Sequence, residues 1–356
     1  MKEYIAFDSH KHYTLAERED ARTGRSQQIR IEHRPGAIRE YLRSCRKGTS
    51  VAVEALGSWY WIVQEIEEAG MQPRLVHPRK AKLMMGMINK TDKLDVHGLN
   101  RLQRNGTLPT VWIAPGPLRD LRELTRTRMV LTQQRARLKN RLGATLDKYG
   151  LAVQDWSDPY GKGARGELET LLDRLPEQTR FTGQALLEQL DFVQEQVKRH
   201  EQRLADLLEE TAAMRLQRSL PGFGPILSAV VVLEMGEARR FGDAEHFASY
   251  AGTTPRVHSS GDKTRYGKLR PDVNRYLKWA FVEAANVIAR HHRSWPDRHV
   301  SRLYARLKAR KGGAKAIGAV ARHLAEATYH VQNRQQPYRD PNVKRVFKEG
   351  LSATMA

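Results

Sequence analysis

The chain has 356 residues, of which 40% are hydrophobic and 28% are charged. That composition is too apolar for a disordered protein, and the length exceeds what one hydrophobic core usually serves, so two or three folding units are expected. Lysine and arginine number 61 against 40 acidic residues, which gives a formal net charge of +21. Such an excess is typical of proteins that neutralise phosphates, and nucleic acid is therefore the leading partner.

A membrane partner is less well supported. An anionic membrane surface could attract so basic a chain, but the sequence has no apolar run of about 18 residues and no N-terminal signal pattern. The single cysteine, Cys45, rules out an internal disulfide framework and fits a reducing cytoplasm. We therefore expect a cytoplasmic protein that does not contact membranes.

The positive charge is concentrated towards the end of the chain. The segment from Arg256 to Ala356 contains 22 lysine or arginine residues and 7 acidic residues, so it carries +15 of the net charge. We expect this segment to make the main contacts with a nucleic-acid backbone. The affinity of such contacts falls steeply as the salt concentration rises.

The first hundred residues carry the only clear strand signals. Short apolar or alternating runs occur at residues 4–8, 13–16, 28–31, 50–54 and 74–77, and helical stretches occur near residues 37–44 and 58–68. The first three strands suggest an antiparallel meander. The whole order is that of the ribonuclease-H-like (RuvC-like) fold, in which acids at strand ends converge on a metal site. We therefore predict an α/β domain of this kind over residues 1–117.

Two later segments have the spacing of coiled-coil helices. Leucines recur in steps of three and four residues over 121–142, and apolar residues do so over 186–207. Arg128 and Arg135 occupy seam positions of the first segment and would suit contact with carboxylates or phosphates. Each seam spans about three heptads, so an intramolecular hairpin and an oligomer contact both remain open. We interpret the stretch between the two segments as a turnaround or loop.

A proline- and glycine-rich turn opens the last region. Residues 118–213 are assigned to the coiled-coil region and residues 214–356 to a mainly helical, basic C-terminal domain. The run from Pro221 to Pro225 resembles the hairpin of a helix-hairpin-helix element, in which Gly222 and Gly224 would let the backbone turn so that amides face a DNA phosphate. The alternative is an ordinary turn before a buried helix.

Four acids have the placement of a metal site. Asp8 and Glu54 end predicted strands, and Asp92 and Asp95 stand three residues apart, which puts them on one face if their segment is helical. Phosphoryl transfer uses hard oxygen ligands to hold one or two Mg²⁺ ions. The alternative for each acid is that it caps or solvates the end of an element. His97 could be a ligand, although a surface or supporting role is favoured.

These motifs occur together in a known family. The runs 6–8, 53–54, 90–95, 221–225 and 250–256 resemble those of the four-acid (DEDD) insertion-sequence transposases related to the Piv invertases. The similarity covers nearly the whole chain. It implies a resolvase-like N-terminal domain, a coiled-coil middle, and a C-terminal transposase domain with a nucleophilic serine. It also implies a structured guide (bridge) RNA that pairs with target and donor DNA.

The resemblance further indicates which serine would be the nucleophile. The family's serine follows the proline in a Ser-Gly context, which Ser260 matches; Ser259 is the reserve. Without the resemblance, this segment is simply a flexible loop. A serine needs a base, a metal or cationic neighbours to become reactive. The candidates around it are Arg256, His258, Lys263, Arg265 and Arg275. The residues expected to bind nucleic acid are Gly222, Gly224, Arg256, Lys263, Arg265, Lys268 and Arg275.

The sequence therefore predicts a Mg²⁺-dependent DNA transposase or recombinase. Asp8, Glu54, Asp92 and Asp95 would hold metal while Ser260 attacks the scissile phosphate, with the two halves of the site possible on different subunits of a dimer or tetramer. A second reading is a resolvase-type nuclease in which metal-activated water attacks. A third is a non-catalytic nucleic-acid-binding scaffold.

Overall fold

A computed structural model of the chain describes residues 3–86, 91–154, 156–208, 211–261, 263–269 and 273–341. The chain divides into two compact units, Met1–Ala114 and Pro115–Ala356. Lys90 and Asp262, which belong to two of the motifs above, lie outside the described residues.

The first unit is built on a five-stranded mixed sheet. Its strands are β1 (Glu3–Ser9), β2 (Tyr13–Asp20), β3 (Ser26–Glu32), β4 (Ser50–Glu54) and β5 (Gln72–Val76), in the order β3-β2-β1-β4-β5. The pairs β1–β2 and β2–β3 are antiparallel, whereas β4 runs parallel to both β1 and β5. All five predicted strands and the antiparallel meander are confirmed. The sheet is consistent with a ribonuclease-H-like fold.

Helices cover both faces of this sheet. They are α1 (Ala37–Leu42), α2 (Trp59–Glu68), α3 (Pro78–Met85) and α4 (Asp92–Arg104). Alternate residues of β1 point to opposite faces, so Ile5 and Phe7 pack with α1 and α2 while Ala6 packs with α3 and α4. Asp8 has the same parity as Ala6, and Glu54 has the same parity as Ala52. Both acids therefore belong to the face that α4 covers.

The second unit begins with a pair of long helices. They are α5 (Gly116–Asp147) and α7 (Glu177–Leu208), and the shorter α6 (Arg165–Asp173) lies between them in sequence. Leu142 packs in one cluster with Leu190, and Leu124 packs in another with Leu204, so α5 and α7 run antiparallel. The two leucine-rich segments therefore meet within one chain. The stretch interpreted as a turnaround or loop is not wholly irregular, because it contains α6.

The first seam arginine of α5 contacts a carboxylate, and the second acts on one through its charge. Nε of Arg128 donates a hydrogen bond of 3.0 Å to Oε1 of Glu201 on α7. Arg135 attracts the carboxylate of Asp158 and, after Lys139, helps to lower its pKa. The seam is thus polar at these positions rather than dry.

The remainder of the second unit is mainly helical. Its elements are α8 (Ala212–Arg218), α9 (Pro225–Met235), a short 3-10 helix (Ala238–Arg240), α10 (Ala244–Tyr250), β6 (Pro255–Ser260), β7 (Lys263–Leu269), α11 (Arg275–His291), α12 (His299–Lys311) and α13 (Gly313–Arg334). Phe247 and Phe281 are fully buried at the centre of this core, to which α13 contributes Val320 and Leu324.

The expectation that no strands follow the first hundred residues is wrong. Strands β6 and β7 form an antiparallel hairpin. Nearly every side chain of this hairpin is exposed, so neither strand has a buried face. Val257 and Tyr266 are isolated among polar residues, so the sequence lacks the repeated apolar positions that reveal a half-buried strand.

Among the described residues, no helix combines the length and the apolar character needed to cross a bilayer.

Candidate active site

The carboxyl ends of two neighbouring parallel strands bring the first two acids together. Phe7 of β1 is the register partner of Val53 of β4. Asp8 and Glu54 are the next residues along each strand, so they leave the sheet side by side on the face covered by α4. Asp8 is only 8% exposed. A buried carboxylate at this edge needs a compensating partner.

The other two acids lie in the first turn of α4. Thr91 is the N-cap of the helix, and its hydroxyl accepts a hydrogen bond of 3.3 Å from the amide of Leu94. Asp92 and Asp95 follow within one turn, where the positive end of the helix dipole favours negative charge. The cap therefore fixes where the helix starts and, with it, where these carboxylates stand.

His10 joins the strand-end acid to the helix acid. Its Nε2 lies 3.2 Å from Oδ2 of Asp8 and 3.3 Å from Oδ2 of Asp92. Asp8, His10 and Asp92 each offer one ligand atom, and these three atoms lie within 4.8 Å of one another. Among the described residues, this is the group with the geometry to hold a metal ion.

Tyr13 supports the group from the neighbouring strand. Its hydroxyl donates a hydrogen bond of 2.9 Å to Oδ2 of Asp92, and this bond is the main reason that the pKa of Tyr13 is raised. The ring lies 4.6 Å from the ring of His10, and the guanidinium of Arg30 lies 3.7 Å from the centre of the Tyr13 ring. Tyr13 thus orients Asp92 while contacting His10.

Burial and crowding of negative charge raise the pKa of Asp8. Burial is the largest cause, and the charges of Asp92 and Asp95 add to it, whereas His10 acts in the opposite direction. Asp95 is therefore close enough to interact with Asp8, although it is outside the tight group of three ligand atoms. A cation at this point would relieve the repulsion among the acids.

The donor atoms fit a divalent cation. Carboxylate oxygens are the ligands that Mg²⁺ and Mn²⁺ prefer, and an imidazole nitrogen suits Mn²⁺ and other transition metals. Asp8 and Asp92 supply the oxygens of this group, and neither Glu54 nor Asp95 belongs to it. The structure thus offers two of the four predicted acids, together with His10, as a group that can hold a metal ion.

Sequence reasoning missed two members of this group, His10 and Tyr13. Both follow from the meander, because β1 turns directly into β2 and returns Tyr13 alongside the end of β1. The available signal was a histidine two residues beyond a strand-end aspartate. Its role could be inferred only once the β1–β2 turn was known.

His97 contacts a buried acid of the meander, which is not one of the three candidate ligands. Its Nδ1 lies 3.1 Å from Oε1 of Glu17, a fully buried acid of β2. Asn100 donates to the same oxygen at 3.1 Å, and Gln28 donates to Oε2 at 2.7 Å. This network attaches the middle of α4 to the meander that carries Tyr13.

Ser260 lies in the second unit, at the end of β6. It pairs with Lys263 across the turn, in which Gly261 has a positive φ of 56°. Paired residues of antiparallel strands point to the same side, and successive residues alternate. One side of the hairpin, the cationic face, therefore carries His258, Ser260, Lys263 and Arg265.

Ser259 lies on the opposite side of the hairpin. That side, the apolar face, carries Val257, Ser259, Thr264 and Tyr266. The hydroxyl of Ser259 lies 3.3 Å from that of Thr264. The two candidate serines therefore differ in their surroundings, because only Ser260 shares a face with cations.

The remaining candidate cations are also exposed. Arg256 and Lys268 flank a register shift in the hairpin, and Arg275 is the first residue of α11. Among the described residues of the hairpin, every charged side chain is a lysine or arginine, and His258 adds a titratable imidazole. The hairpin is thus a cationic ribbon.

The Ala-Gly-x-x-Pro run has a structural role. Gly252 has φ 71°, and a β-carbon there would lie 2.3 Å from Cγ2 of Val273. Thr253 bonds back to the carbonyl of Ala248 through both its amide (3.0 Å) and its hydroxyl (2.9 Å). The motif ends α10 and directs the chain into β6 at Pro255.

The two glycines of the Pro221–Pro225 turn differ. Gly222 has φ 85°, and a β-carbon there would lie 2.5 Å from the carbonyl oxygen of Ala284 on α11. Gly224 is exposed at the start of α9 with nothing within 4 Å of that position. Close packing against α11 therefore accounts for a glycine at position 222. At position 224 the glycine leaves the start of α9 open to solvent.

Comparisons with known proteins agree with this geometry. Residues 8–151 match a transposase model for the DEDD type of IS110, and residues 214–300 match the model of the "Transposase IS116/IS110/IS902 family". The first segment contains the four acids and the second contains both serines. The chain belongs to the IS110/IS116/IS902 family of transposases. It is thus an enzyme that cuts and rejoins DNA, which favours the enzymatic readings over a non-catalytic scaffold.

Individual relatives cover most of the chain. It is 27% identical over 297 residues to a "Probable family 20 transposase" of Pseudomonas aeruginosa, which spans 81% of this chain and 85% of the relative. It is 24% identical over 300 residues to the "Transposase for insertion sequence element IS1111A" of Coxiella burnetii, which spans 81% and 79%. The similarity therefore extends over both units of this IS110-type transposase.

Proposed function

We propose that this transposase is a Mg²⁺-dependent recombinase that cuts DNA by attack of Ser260 and rejoins it by reversal of that step. The observation that carries the proposal is the joint presence of a carboxylate group suited to a divalent ion and a serine on a cationic hairpin. Its resemblance to the transposases related to Piv invertases supports the same reading.

The acids would serve as the metal ligands. Asp8, Glu54, Asp92 and Asp95 hold the ion, while Tyr13 orients Asp92 through its 2.9 Å hydrogen bond. When bound, a divalent ion stabilises negative charge on the oxygens of the scissile phosphate. His10 lies between two of the carboxylates and would either join the ligands or yield its position to the ion.

The serine would supply the nucleophile. Oγ of Ser260 attacks phosphorus, the bond from phosphorus to one sugar oxygen breaks, and that oxygen takes up a proton. The resulting serine phosphodiester keeps the bond energy, so a sugar hydroxyl can reverse the step and reseal the strand. His258 shares the face of Ser260 and is our candidate to accept the hydroxyl proton, with Lys263 and Arg265 countering phosphate charge.

The surroundings of the two serines favour Ser260 over Ser259. Ser260 lies opposite Lys263 on the cationic face, whereas Ser259 is next to Thr264 on the apolar face. A nucleophile that must approach a phosphodiester gains from neighbouring cations, which attract the phosphate and stabilise charge in the transition state.

Donor and target DNA are the proposed substrates, with a structured guide RNA as the proposed specificity factor. The +21 net charge supports contact with extended nucleic acid. We propose Gly222, Gly224, Arg256, Lys263, Arg265, Lys268 and Arg275 as contact residues, and a dimer or tetramer as the active form. Sequencing of RNA that copurifies with the chain tests the guide; absence of one structured species would remove it from the mechanism.

A metal-dependent nuclease is the second candidate function. The acids and their supporting residues all lie within the first unit, so metal-activated water could attack without help from the serine. In that case Ser260 would be structural, and cutting would leave free ends.

A denaturing gel distinguishes the two functions. The chain is purified with its copurified RNA and incubated with labelled DNA and Mg²⁺. The recombinase gives a protein-linked strand that disappears in Ser260→Ala and persists in Ser259→Ala, and Asp8→Asn abolishes cutting. Free ends that persist in Ser260→Ala would overturn serine attack and support the nuclease.

A further inference from the structure

The apolar face of the β6–β7 hairpin is open to solvent. Val257 and Tyr266 are cross-strand partners at its centre, and they are 56% and 72% exposed. A two-stranded ribbon is only marginally stable in water without something to pack on. An aromatic and a β-branched side chain at adjoining positions therefore provide a flat apolar patch with no cover in the described structure.

The charge of the ribbon indicates what covers this patch. Arg256 and Lys268 lie at the register shift beside it, and Lys263 and Arg265 lie on the opposite face of the same two-stranded ribbon. No acid occurs among the described residues of the hairpin. A second copy of the same hairpin would meet this charge with like charge. A nucleic-acid strand offers phosphates to the cations and the flat face of a nucleobase to the tyrosine ring.

The distance between the patch and Ser260 indicates which nucleotide the patch would contact. Val257 is three residues before Ser260 on β6, which corresponds to about 10 Å along a strand. Each strand of duplex DNA advances about 3.4 Å per nucleotide along the helix axis. If Ser260 attacks the scissile phosphate, the patch lies about three nucleotides from the cut.

We propose that Tyr266, with Val257 beside it, stacks on an unpaired nucleobase of the DNA strand being cut, about three nucleotides from the scissile phosphate. The inference rests on the proposed function, because Ser260 fixes the reference point. In this arrangement the cationic face contacts the phosphate at the cut, and the apolar face contacts a nearby base of the same strand. Such stacking tolerates any base, so it positions the strand without reading its sequence.

Photocrosslinking tests this contact. The cut position is first mapped from the wild-type reaction, using the protein-linked strand or, if none forms, the free ends. DNA with 5-iodouracil at successive positions around the cut is then irradiated with the full-length Ser260→Ala chain, its copurified RNA and Mg²⁺. We expect crosslinks to Tyr266 that peak about three nucleotides from the cut. The yield should fall about tenfold or more in a Ser260→Ala chain that also carries Tyr266→Ala, and remain high with Tyr266→Phe instead.

Tyr149 supplies the matched control. It is another exposed tyrosine of the second unit, at 47% exposure, and Tyr149→Ala should leave the crosslink unchanged. Crosslinks that do not depend on Tyr266, that carry RNA, or that are spread evenly along the DNA would overturn the proposal. So would a change in sedimentation of Tyr266→Ala that indicates lost contact between copies of the chain.

The experiments distinguish a wrong base contact from a wrong serine mechanism. Crosslinking in Ser260→Ala does not require serine attack, so a Tyr266 crosslink beside a cut that leaves only free ends would retain the base contact and reject the serine mechanism. A serine-linked strand without a Tyr266 crosslink would do the reverse.

Discussion

The hydroxyl of Tyr13 donates a hydrogen bond of 2.9 Å to Oδ2 of Asp92. This oxygen is also the one nearest to His10, so the bond holds the helix acid in the orientation that faces Asp8. Partners that orient metal ligands commonly contribute about 10–100-fold to metal affinity. The relationship therefore gives a prediction that does not depend on DNA.

Removal of the Tyr13 hydroxyl should weaken metal binding. We expect Tyr13→Phe to lower Mn²⁺ affinity about tenfold in isothermal titration while the circular dichroism spectrum is unchanged. Tyr149→Phe, which removes an exposed hydroxyl near Thr179, is the control and should bind normally. An unaltered affinity in Tyr13→Phe would show that Asp92 is not a ligand or needs no support.

Loss of the buried charge at Asp8 should stabilise the metal-free protein. Because burial raises the pKa of Asp8, its ionised form is disfavoured in the folded chain, and this cost is present above the raised pKa and disappears as pH falls through it. At pH 7 we expect Asp8→Asn to raise the metal-free Tm by about 1–2 °C and to abolish the Tm increase caused by Mn²⁺. The difference from wild type should shrink in acid.

The exposed Asp120 of α5 provides the comparison. Asp120→Asn should change neither the metal-free Tm nor the response to Mn²⁺. If Asp8→Asn instead destabilised the metal-free chain at pH 7, the carboxylate would be stabilising the fold rather than serving the site.

Two arginines of α5 should contribute very differently to the free energy of unfolding. Arg126 donates to the fully buried Glu234 at 2.7 and 3.1 Å, and Asn274, the N-cap of α11, donates to the same carboxylate at 2.8 Å. Arg126→Met leaves the buried Glu234 with Arg122, whose Nε is 3.7 Å away, as its remaining arginine partner, and we expect a loss of about 2–3 kcal/mol. The measurement is urea denaturation followed by circular dichroism.

Arg128 is the matched control, two residues away on the same helix. Its partner Glu201 is more than a third exposed, so Arg128→Met should cost at most about 1 kcal/mol. Equal losses in the two variants would mean that the Glu234 network does not anchor α11.

The glycines of the Pro221–Pro225 turn can be separated by alanine. Gly222→Ala combines an unfavourable φ with a close approach to the carbonyl of Ala284, and should cost about 2 kcal/mol or more by thermal denaturation. Gly224→Ala should leave stability within about 0.5 kcal/mol. If Gly224→Ala, but not an unrelated surface variant, weakens DNA binding, the end of α9 contacts phosphate; unchanged binding would favour an ordinary turn before a buried helix.

The strands of the sheet and the positions of Asp8 and Glu54 at strand ends could be predicted from the sequence because the signals are local. Strands β1 and β4 are largely buried, so their apolar runs are visible, and Asp8 and Glu54 mark the points where those runs stop. The N-cap Thr91 likewise precedes Asp92 directly in sequence. The contacts of His10 and Tyr13 with Asp92 could not be predicted, because they depend on how the β1–β2 turn packs against α4.

The cationic hairpin, in contrast, could not be predicted from the sequence. Its side chains are solvated on both sides, and its few apolar residues, such as Val257 and Tyr266, do not form the repeated pattern that would distinguish β6 and β7 from a loop. Whether Ser259 or Ser260 shares a face with Lys263 depends on register across the turn, which one strand's sequence does not determine. The structure supplies that register.

Mass spectrometry of the DNA-linked peptide tests the assignment of Ser260 most directly. Trypsin cuts after Arg256 and Lys263, so both serines fall on the peptide of residues 257–263, and fragmentation between them identifies the modified one. After reaction with DNA and Mg²⁺ followed by nuclease digestion, we expect the nucleotide remnant on Ser260 and none in a reaction without divalent metal. A remnant on Ser259 or on another peptide, or cut DNA with no linked peptide at all, would contradict attack by Ser260.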